Sequence, residues 1–382
     1  VKKVLTFVGD LAQKADLLLF ALCLACSIFG LVVISSATAT SEDGSVRYVL
    51  IQTIALLIGV VLFFLLTVLD IDIIVEQWPI LVGISLLLLL ALIPFGVEDL
   101  TGNKSWLRFL GIGIQPSEIV KIIYIALLAR HISFLKNHRN FNGVLSVAQL
   151  AAHFLLPFLL VIVISADLGS ALIFLVIFIV MLFAAGLRLY WFVLGVAALA
   201  AVIPVAWEHV LRPDQINRIL APYDSSIDPN GDGVTWQARQ SRLALASGQL
   251  TGTGLGNGPQ TQSQAIPAQQ TDFIFSVIGE ELGMIGCCVV ILLLLAIILR
   301  CVSIGLKSKN TMSMLVCFGV AATIGFQSFI NIGMCLGLTP VIGLTLPFFS
   351  YGGSSMFSLF AAAGLVSGIR YRPKPERFHS YG

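Results

Sequence analysis

Glu118, Lys121, Asp167, Asp272, Glu280 and Glu281 stand within or at the ends of long apolar runs, where an unpaired charge is expensive. Each therefore implies a partner, a polar cavity or a chemical task. Asp272, in Thr271-Asp272-Phe-Ile-Phe275, carries two readings. It is a competent helix N-cap, and it is also a carboxylate at the rim of an apolar run, beside a polar stretch holding Arg212, Arg218, Arg239 and Arg242. In the second reading an anionic lipid headgroup would arrive there. Glu118 and Lys121 are three residues apart, on one face of a helix, and form either a self-neutralising pair or a substrate-facing one. Asp167, before Leu168-Gly-Ser-Ala171, reads as a cap on the positive end of the next helix. Glu280 and Glu281, adjacent and well inside an apolar run, call for a buried polar network.

The elements that must hold these groups follow from composition. Of the 382 residues 58% are hydrophobic and only 11% charged, which excludes an ordinary soluble fold. Ten apolar segments are long enough to cross a bilayer core of roughly 30 Å: 16–37, 47–69, 75–96, 117–135, 148–165, 168–186, 189–208, 273–299, 311–336 and 348–370. Unbroken runs such as Leu86 to Leu90 lack the alternation of a barrel strand, so the expected fold is all-α, a polytopic membrane bundle forming a single domain over 1–382. With the N-terminus inside, fourteen of the 22 Lys and Arg fall on inner segments and seven on outer ones, which places both termini in the cytoplasm. The first segment is longer than the apolar core of a cleaved signal and is expected to remain as a helix.

Two outer stretches are long enough to work. The segment 209–271 is polar and rich in Gly and Gln, and Trp236 to Ala246 predicts a helix within it. The segment 97–116 carries Lys104, Trp106 and Arg108 and ends in Gln115-Pro-Ser-Glu118, with Ser117 as the expected cap. Asp228-Pro-Asn-Gly-Asp232-Gly233 imitates a calcium loop but has Arg239 where the bidentate Glu belongs, so a turn is expected. Gly252-Thr-Gly-Leu-Gly256-Asn-Gly258 is not a dinucleotide fingerprint and reads as glycines permitting tight backbone. The seven Cys lie in or at the edges of spans, so no disulfide framework is implied; Cys23 and Cys26 read as packing.

The chain resembles the SEDS (shape, elongation, division and sporulation) family, which includes RodA and FtsW. The resemblance rests on Trp106-Leu-Arg108, Gln115-Pro-Ser-Glu118 with Lys121, Asp167-Leu-Gly169, Arg218, Trp236-Gln237 with Gln240-Ser241, and Ser247-Gly248. It continues through Thr271-Asp272-Phe-Ile-Phe275, Gly279-Glu-Glu-Leu-Gly283 and Pro347-Phe-Phe-Ser-Tyr-Gly-Gly-Ser-Ser355, covering nearly the whole chain. It implies ten membrane helices, cytoplasmic termini and a peptidoglycan glycosyltransferase at the outer membrane face. The implied substrate is lipid II, an undecaprenyl-pyrophosphoryl disaccharide-pentapeptide, and the implied partner a class B penicillin-binding transpeptidase. The acceptor GlcNAc 4-hydroxyl would attack the donor MurNAc anomeric carbon with inversion and loss of the lipid pyrophosphate.

Carried over by position, Asp272 is the general base. Trp106, Arg108, Glu118, Lys121, Arg218, Gln237, Arg239, Gln240, Ser241 and Arg242 are the candidate substrate-binding residues, with Arg218 and the Arg239/Arg242 pair as pyrophosphate partners. Asp167, Glu280 and Glu281 form the structural polar network. The resemblance also implies Mg2+ or Mn2+, without a complete ligand set in the sequence. Two departures stand out: Pro267-Ala-Gln-Gln-Thr-Asp272 lacks the family's Glu and His before the aspartate, and Ser165-Ala166 replaces a usual Gln-Pro. The competing readings are a lipid II flippase and a silent scaffold for a transpeptidase. A flippase needs polar groups at mid-membrane in a path open to both sides, whereas the densest polar sequence here is the outer loop and its helix junctions.

Overall fold

The computed structural model describes residues 15–41, 44–97, 103–109, 112–209, 211–224 and 226–371. Six of the basic residues used in the charge argument, Lys2, Lys3, Lys14, Arg372, Lys374 and Arg377, lie outside them. Each of the ten apolar runs is occupied by helix. The first three are α1 (Leu17–Ala37), α2 (Ser45–Val68), and α4 (Trp78–Leu90), the last preceded by a short α3 (Ile71–Glu76) and followed by α5 (Leu92–Phe95). Then come α6 (Pro116–His138), α7 (Val144–Leu160) with a π turn at Val161–Ser165, α8 (Leu168–Ala184) and α9 (Leu189–His209). The polar stretch holds α10 (Pro213–Leu220), α11 (Trp236–Gly248) and α12 (Pro259–Gln262). The last three spans are α13 (Ile274–Lys307), α14 (Thr311–Leu336) and α15 (Gly353–Tyr371).

By length and composition, seven of these helices can cross a membrane among the described residues. The other three runs are helical but less apolar or shorter: α6 carries Glu118, Lys121 and Arg130, α8 has 17 residues, and α15 is rich in Ser and Gly. The expected helix at 236–246 is present as α11, which extends to Gly248.

The all-α expectation needs one correction. A three-stranded antiparallel sheet, β1 (Gly96–Val97), β2 (Trp106–Phe109) and β3 (Ile112–Ile114), occupies the outer segment before α6. Val97 pairs with Trp106, and Leu107 with Ile114. Strands of two to four residues are too short for a period of two to stand out in sequence. Ser117 is not the cap of α6 either. Pro116, whose fixed φ suits the first helical position, starts the helix after Gln115, and the Ser117 hydroxyl instead meets that of Ser170 at 3.2 Å.

Packing is tight wherever glycine lets backbones meet. A Cβ on Gly30 of α1 would lie 2.6 Å from the Phe349 carbonyl oxygen, and one on Gly364 of α15 would lie 2.5 Å from that of Phe63 on α2. Cys23 and Cys26 are buried as packing residues, and all seven Cys are free thiols. At one end of the bundle Asp16 caps α1 and accepts hydrogen bonds from Arg300 of α13 (2.7 Å) and Arg370 of α15 (3.0 Å). One carboxylate thus ties three helix ends together. By contrast α9, apolar on every side, has no buried residue among its described side chains, as suits a helix facing lipid.

Candidate active site

α13 is broken at Gly283, whose φ of +67° and ψ of −167° belong to a region that is essentially glycine-only. A break inside an apolar layer frees carbonyls above it and N–H groups below it, and each needs a new partner. The segment after α11 provides them. Thr253 and Gly254 donate their N–H to the Glu280 and Glu281 carbonyls at 3.0 and 2.9 Å, while Met284 and Ile285 donate to the Gln249 and Leu250 carbonyls at 2.9 and 3.2 Å. This part of the polar stretch therefore folds back against α13 to the level of Gly283, about 13 Å along the helix from its start.

Glu280 and Glu281 fasten the same loop from their side chains. Both are buried. Glu280 accepts from the Gln260 N–H (2.9 Å) and from the N–H and hydroxyl of Thr261 (2.8 and 2.6 Å). Glu281 accepts from Ser36 of α1 (2.6 Å) and from Gln262 (3.2 Å). The glycine run has a physical reason here, because a Cβ on Gly252 would lie 2.2 Å from the Glu281 carbonyl oxygen.

That anchored loop leads into the turn carrying Asp272. Ala268 accepts from the N–H of Thr271 and of Asp272, both at 3.0 Å. α13 begins at Ile274 with Phe273 in the cap position, so Asp272 stands one residue before it. The peptide is gripped from three further sides. Asn331 of α14 donates its amide to the carbonyls of Asp272 and Leu344, both at 2.7 Å, the Ser350 hydroxyl donates to the Thr271 carbonyl, and the Tyr351 N–H donates to Gln270 at 2.8 Å. Gln52 of α2 in turn holds 350–352, donating to the Ser350 carbonyl and accepting from the Gly352 N–H, each at 3.0 Å. Asp272 itself is half-buried, and its Oδ2 lies 3.7 Å from where a Cβ on Gly343 would be.

Beyond Gly343, on the same extended segment, Thr339 and Val341 line a cavity of about 70 Å³ that also receives Arg218 of α10 and Arg242 of α11. The two guanidiniums are thus brought to one cavity, next to the segment that faces Asp272. Arg239 is not. It donates to the Asn230 carbonyl at 2.9 Å, and so braces the turn around Asp228. The carboxylate of Asp228 accepts from the N–H groups of Gly231, Gly233 and Thr235 and from the Thr235 hydroxyl (2.6 Å). That hydroxyl, more than the backbone donors, holds the Asp228 carboxyl below its ordinary pKa. The calcium look-alike is a turn whose carboxylate is occupied by protein donors.

Of the remaining candidates, Gln237 and Gln240 are half-buried on α11. Ser241 is fully buried, bonded to the Ser276 hydroxyl and to the Cys335 carbonyl, and so joins α11 to α13 and α14. Trp106 and Arg108 lie on β2, with Leu107 buried on its other face. A Cβ on Gly113 would touch the Trp106 ring at 3.1 Å.

A second polar group lies inside the bundle. Lys121 donates to Glu118 at 2.7 Å with both side chains buried. Asp167 caps α8, accepting from the Ser170 N–H (2.9 Å), the Ser170 hydroxyl (2.7 Å) and the Gln115 amide (3.2 Å). Removing one member of a buried pair strands a charge, which typically costs ~3–5 kcal/mol. Glu118→Gln and Lys121→Met are each expected to destabilise on that scale, and the double variant by clearly less than their sum. Thermal unfolding and turnover read on the same cycle separate the roles. A double variant that recovers stability but not turnover marks a substrate contact, and one that recovers both marks a structural pair.

Asn331 and Gln52, which position the Asp272 turn, escape a search of the sequence for ionisable residues. Their signal is an amide side chain inside an apolar span, single at Gln52 and accompanied by Gln327 at Asn331.

The chain is similar to known proteins along nearly its whole length. The family model described as cell cycle protein, covering FtsW, RodA and SpoVE, matches residues 16–374. A probable peptidoglycan glycosyltransferase FtsW of Geobacter metallireducens is 36% identical over 373 residues, spanning 95% of this chain and 96% of that protein. Stage V sporulation protein E of Bacillus subtilis is 33% identical over 367 residues, 93% and 96% of the two chains. Among solved structures, a chain of a peptidoglycan synthase complex that coordinates polymerization and crosslinking superposes with a TM-score of 0.76 at 29% identity, over 93% of this chain and 97% of that one. The rod shape determining protein RodA of Thermus thermophilus superposes with a TM-score of 0.68 at 28% identity, over 94% and 98%.

Proposed function

Because the chain belongs to the FtsW, RodA and SpoVE family of cell cycle proteins, we propose that it is a peptidoglycan glycosyltransferase that polymerises lipid II at the outer face of the cytoplasmic membrane. The observation that carries this reading is a half-buried carboxylate, Asp272, on a turn gripped by backbone and amide hydrogen bonds, beside a segment lining an arginine cavity. Asp272 takes the proton as the acceptor sugar 4-hydroxyl attacks the donor anomeric carbon. The bond from that carbon to the pyrophosphate oxygen breaks with inversion, and the departing charge is stabilised by the guanidiniums of Arg218 and Arg242. The lipid tail lies in the membrane.

Ten crossings, cytoplasmic termini and an extracytoplasmic Asp272 are part of the same proposal, supported by the helices in all ten apolar runs and by the bias of Lys and Arg toward the inner segments. A transpeptidase partner of the class B penicillin-binding type is supported by the resemblance to the chain in the polymerization and crosslinking complex. For Mg2+ or Mn2+ the chain offers no cage of its own: among the described residues no three His, Cys, Asp or Glu side chains lie together. Every step above is therefore assigned to side chains alone. A flippase is less well supported, because the buried charges at mid-bundle are paired with each other and with loop donors.

Purified protein in liposomes, with its transpeptidase partner and lipid II, is expected to produce glycan polymer that resolves as a ladder on a gel. Arg218→Gln and Arg242→Gln are each expected to lower the rate by about 10²-fold, with the double variant less than multiplicative because both act on one leaving group. Absence of polymer from the wild-type protein under these conditions would remove the enzymatic reading.

A further inference from the structure

The end of the bundle opposite Asp272 holds an open cavity of about 240 Å³, far roomier than the ~10–15 Å³ that admits a water. It lies between α3, α6 and the first turn of α14, and its walls include Asp72, Glu76, Arg130, Phe134, Asn137 and Met312. The local sequence explains the arrangement. In α3, Ile71 and Val75 are buried one turn apart, which leaves Asp72 and Glu76, also one turn apart, pointing outward.

Arg130 and Glu76 line this space without neutralising each other. Arg130 lies 5.6 Å from the centre of the Trp78 ring. Among the described residues neither Arg130 nor Glu76 enters a salt bridge. Stacking on an aromatic face leaves the edge of a guanidinium, with its fork of N–H donors, open to an anion. The surround is apolar and exposed: Ile73 is 62% exposed, Ile80 59%, and Trp78 and Phe134 46% each. A tryptophan among such residues at a helix end is the signature of a membrane interface.

A ligand that satisfies this lining has an anionic phosphate for Arg130 and the Asn137 amide. It also needs a cationic amine for Glu76 and an apolar tail for Phe134 and Met312. We infer that the cavity binds the headgroup of a phosphoethanolamine lipid in the leaflet opposite Asp272. Phosphocholine has the same charges, but its quaternary ammonium has no N–H to donate to a carboxylate. A phosphoglycerol headgroup has no cation at all. The occupied site links α3 to α6 and α14, the two helices that carry Glu118, Lys121 and Asn331 toward their other ends.

The test is a lipid titration of the full-length chain in detergent, read by thermal unfolding and by native mass spectrometry. The probes are short-chain phosphatidylethanolamine, phosphatidylcholine, phosphatidylglycerol and water-soluble O-phosphoethanolamine. Phosphatidylethanolamine is expected to bind about tenfold more tightly than phosphatidylcholine, the worth of one charge-assisted hydrogen bond, and the soluble headgroup not to stabilise measurably. Glu76→Gln, at an exposed position where folding is not at stake, is expected to erase the preference for ethanolamine over choline while retaining binding. Arg130→Gln is expected to weaken all three lipids together. Equal binding of the three lipids by the wild-type chain would overturn the proposal, as would a preference for ethanolamine that survives Glu76→Gln. Full stabilisation by the soluble headgroup would overturn the assignment to a lipid.

Discussion

Asp272→Asn is expected to abolish glycan polymerisation, lowering the rate by ~10²–10⁴-fold, the range supplied by a positioned general base. The protein should fold and bind as before. Asparagine keeps the shape of the side chain, and the backbone bonds of Asp272 that hold the turn, its N–H to Ala268 and its carbonyl from Asn331, are untouched by the substitution. Those contacts also furnish a graded companion. Asn331→Leu removes the amide that joins the Asp272 and Leu344 carbonyls, so it should loosen the placement of the carboxylate without removing it, with a smaller fall in turnover and a measurable loss of stability. Polymer formation by Asp272→Asn at the wild-type rate would remove the proposed base and move attention to the Arg218 and Arg242 cavity alone.

How much of this was legible beforehand depended on the range of the interaction. Apolar length is a local property, so runs such as Leu86 to Leu90 announce helices, and every one of the ten is helical. Charge placement is nearly as local: Lys121 meets Glu118 one turn away, and Asp167 caps the helix it precedes. What sequence could not show is which distant segment meets which. Gly252 and Gly283 look like unrelated small residues 31 positions apart until a loop backbone lies against a broken helix. Arg239 and Arg242 look like a pair, yet three residues on a helix are enough to send one to the Asp228 turn and the other to the cavity with Arg218. Ser241 shares a motif with its neighbours but turns inward between α11, α13 and α14. The outer sheet was missed for a different reason, since strands of two to four residues carry too little pattern to register.

Gly283→Ala is expected to lower stability by several kcal/mol and to silence the enzyme with Asp272 untouched. The residue occupies backbone space that non-glycine residues reach only at ~1–3 kcal/mol. Its added Cβ would also stand 2.4 Å from the Gly252 nitrogen and 2.5 Å from the Leu250 carbonyl carbon. Backbone cannot rotate away as a side chain tip can, so the loop must retreat from α13. Retreat breaks the four hydrogen bonds that close the helix gap, leaving carbonyls and N–H groups without partners in an apolar layer, at several kcal/mol for each group left bare. The same loop runs through Gln260 and Thr261, which Glu280 holds, into the turn that presents Asp272, so the damage reaches the reactive carboxylate through the chain itself. Gly195→Ala on α9 is the control. A Cβ there meets nothing within 4 Å, and alanine inside a helix gains roughly 0.5–1 kcal/mol over glycine. Thermal unfolding in detergent should therefore place Gly283→Ala far below wild type and Gly195→Ala at or above it. Coincident melting of Gly283→Ala and wild type would mean that the loop is not locked into the broken helix, and that the placement of Asp272 rests on Asn331, Ser350 and Tyr351 instead.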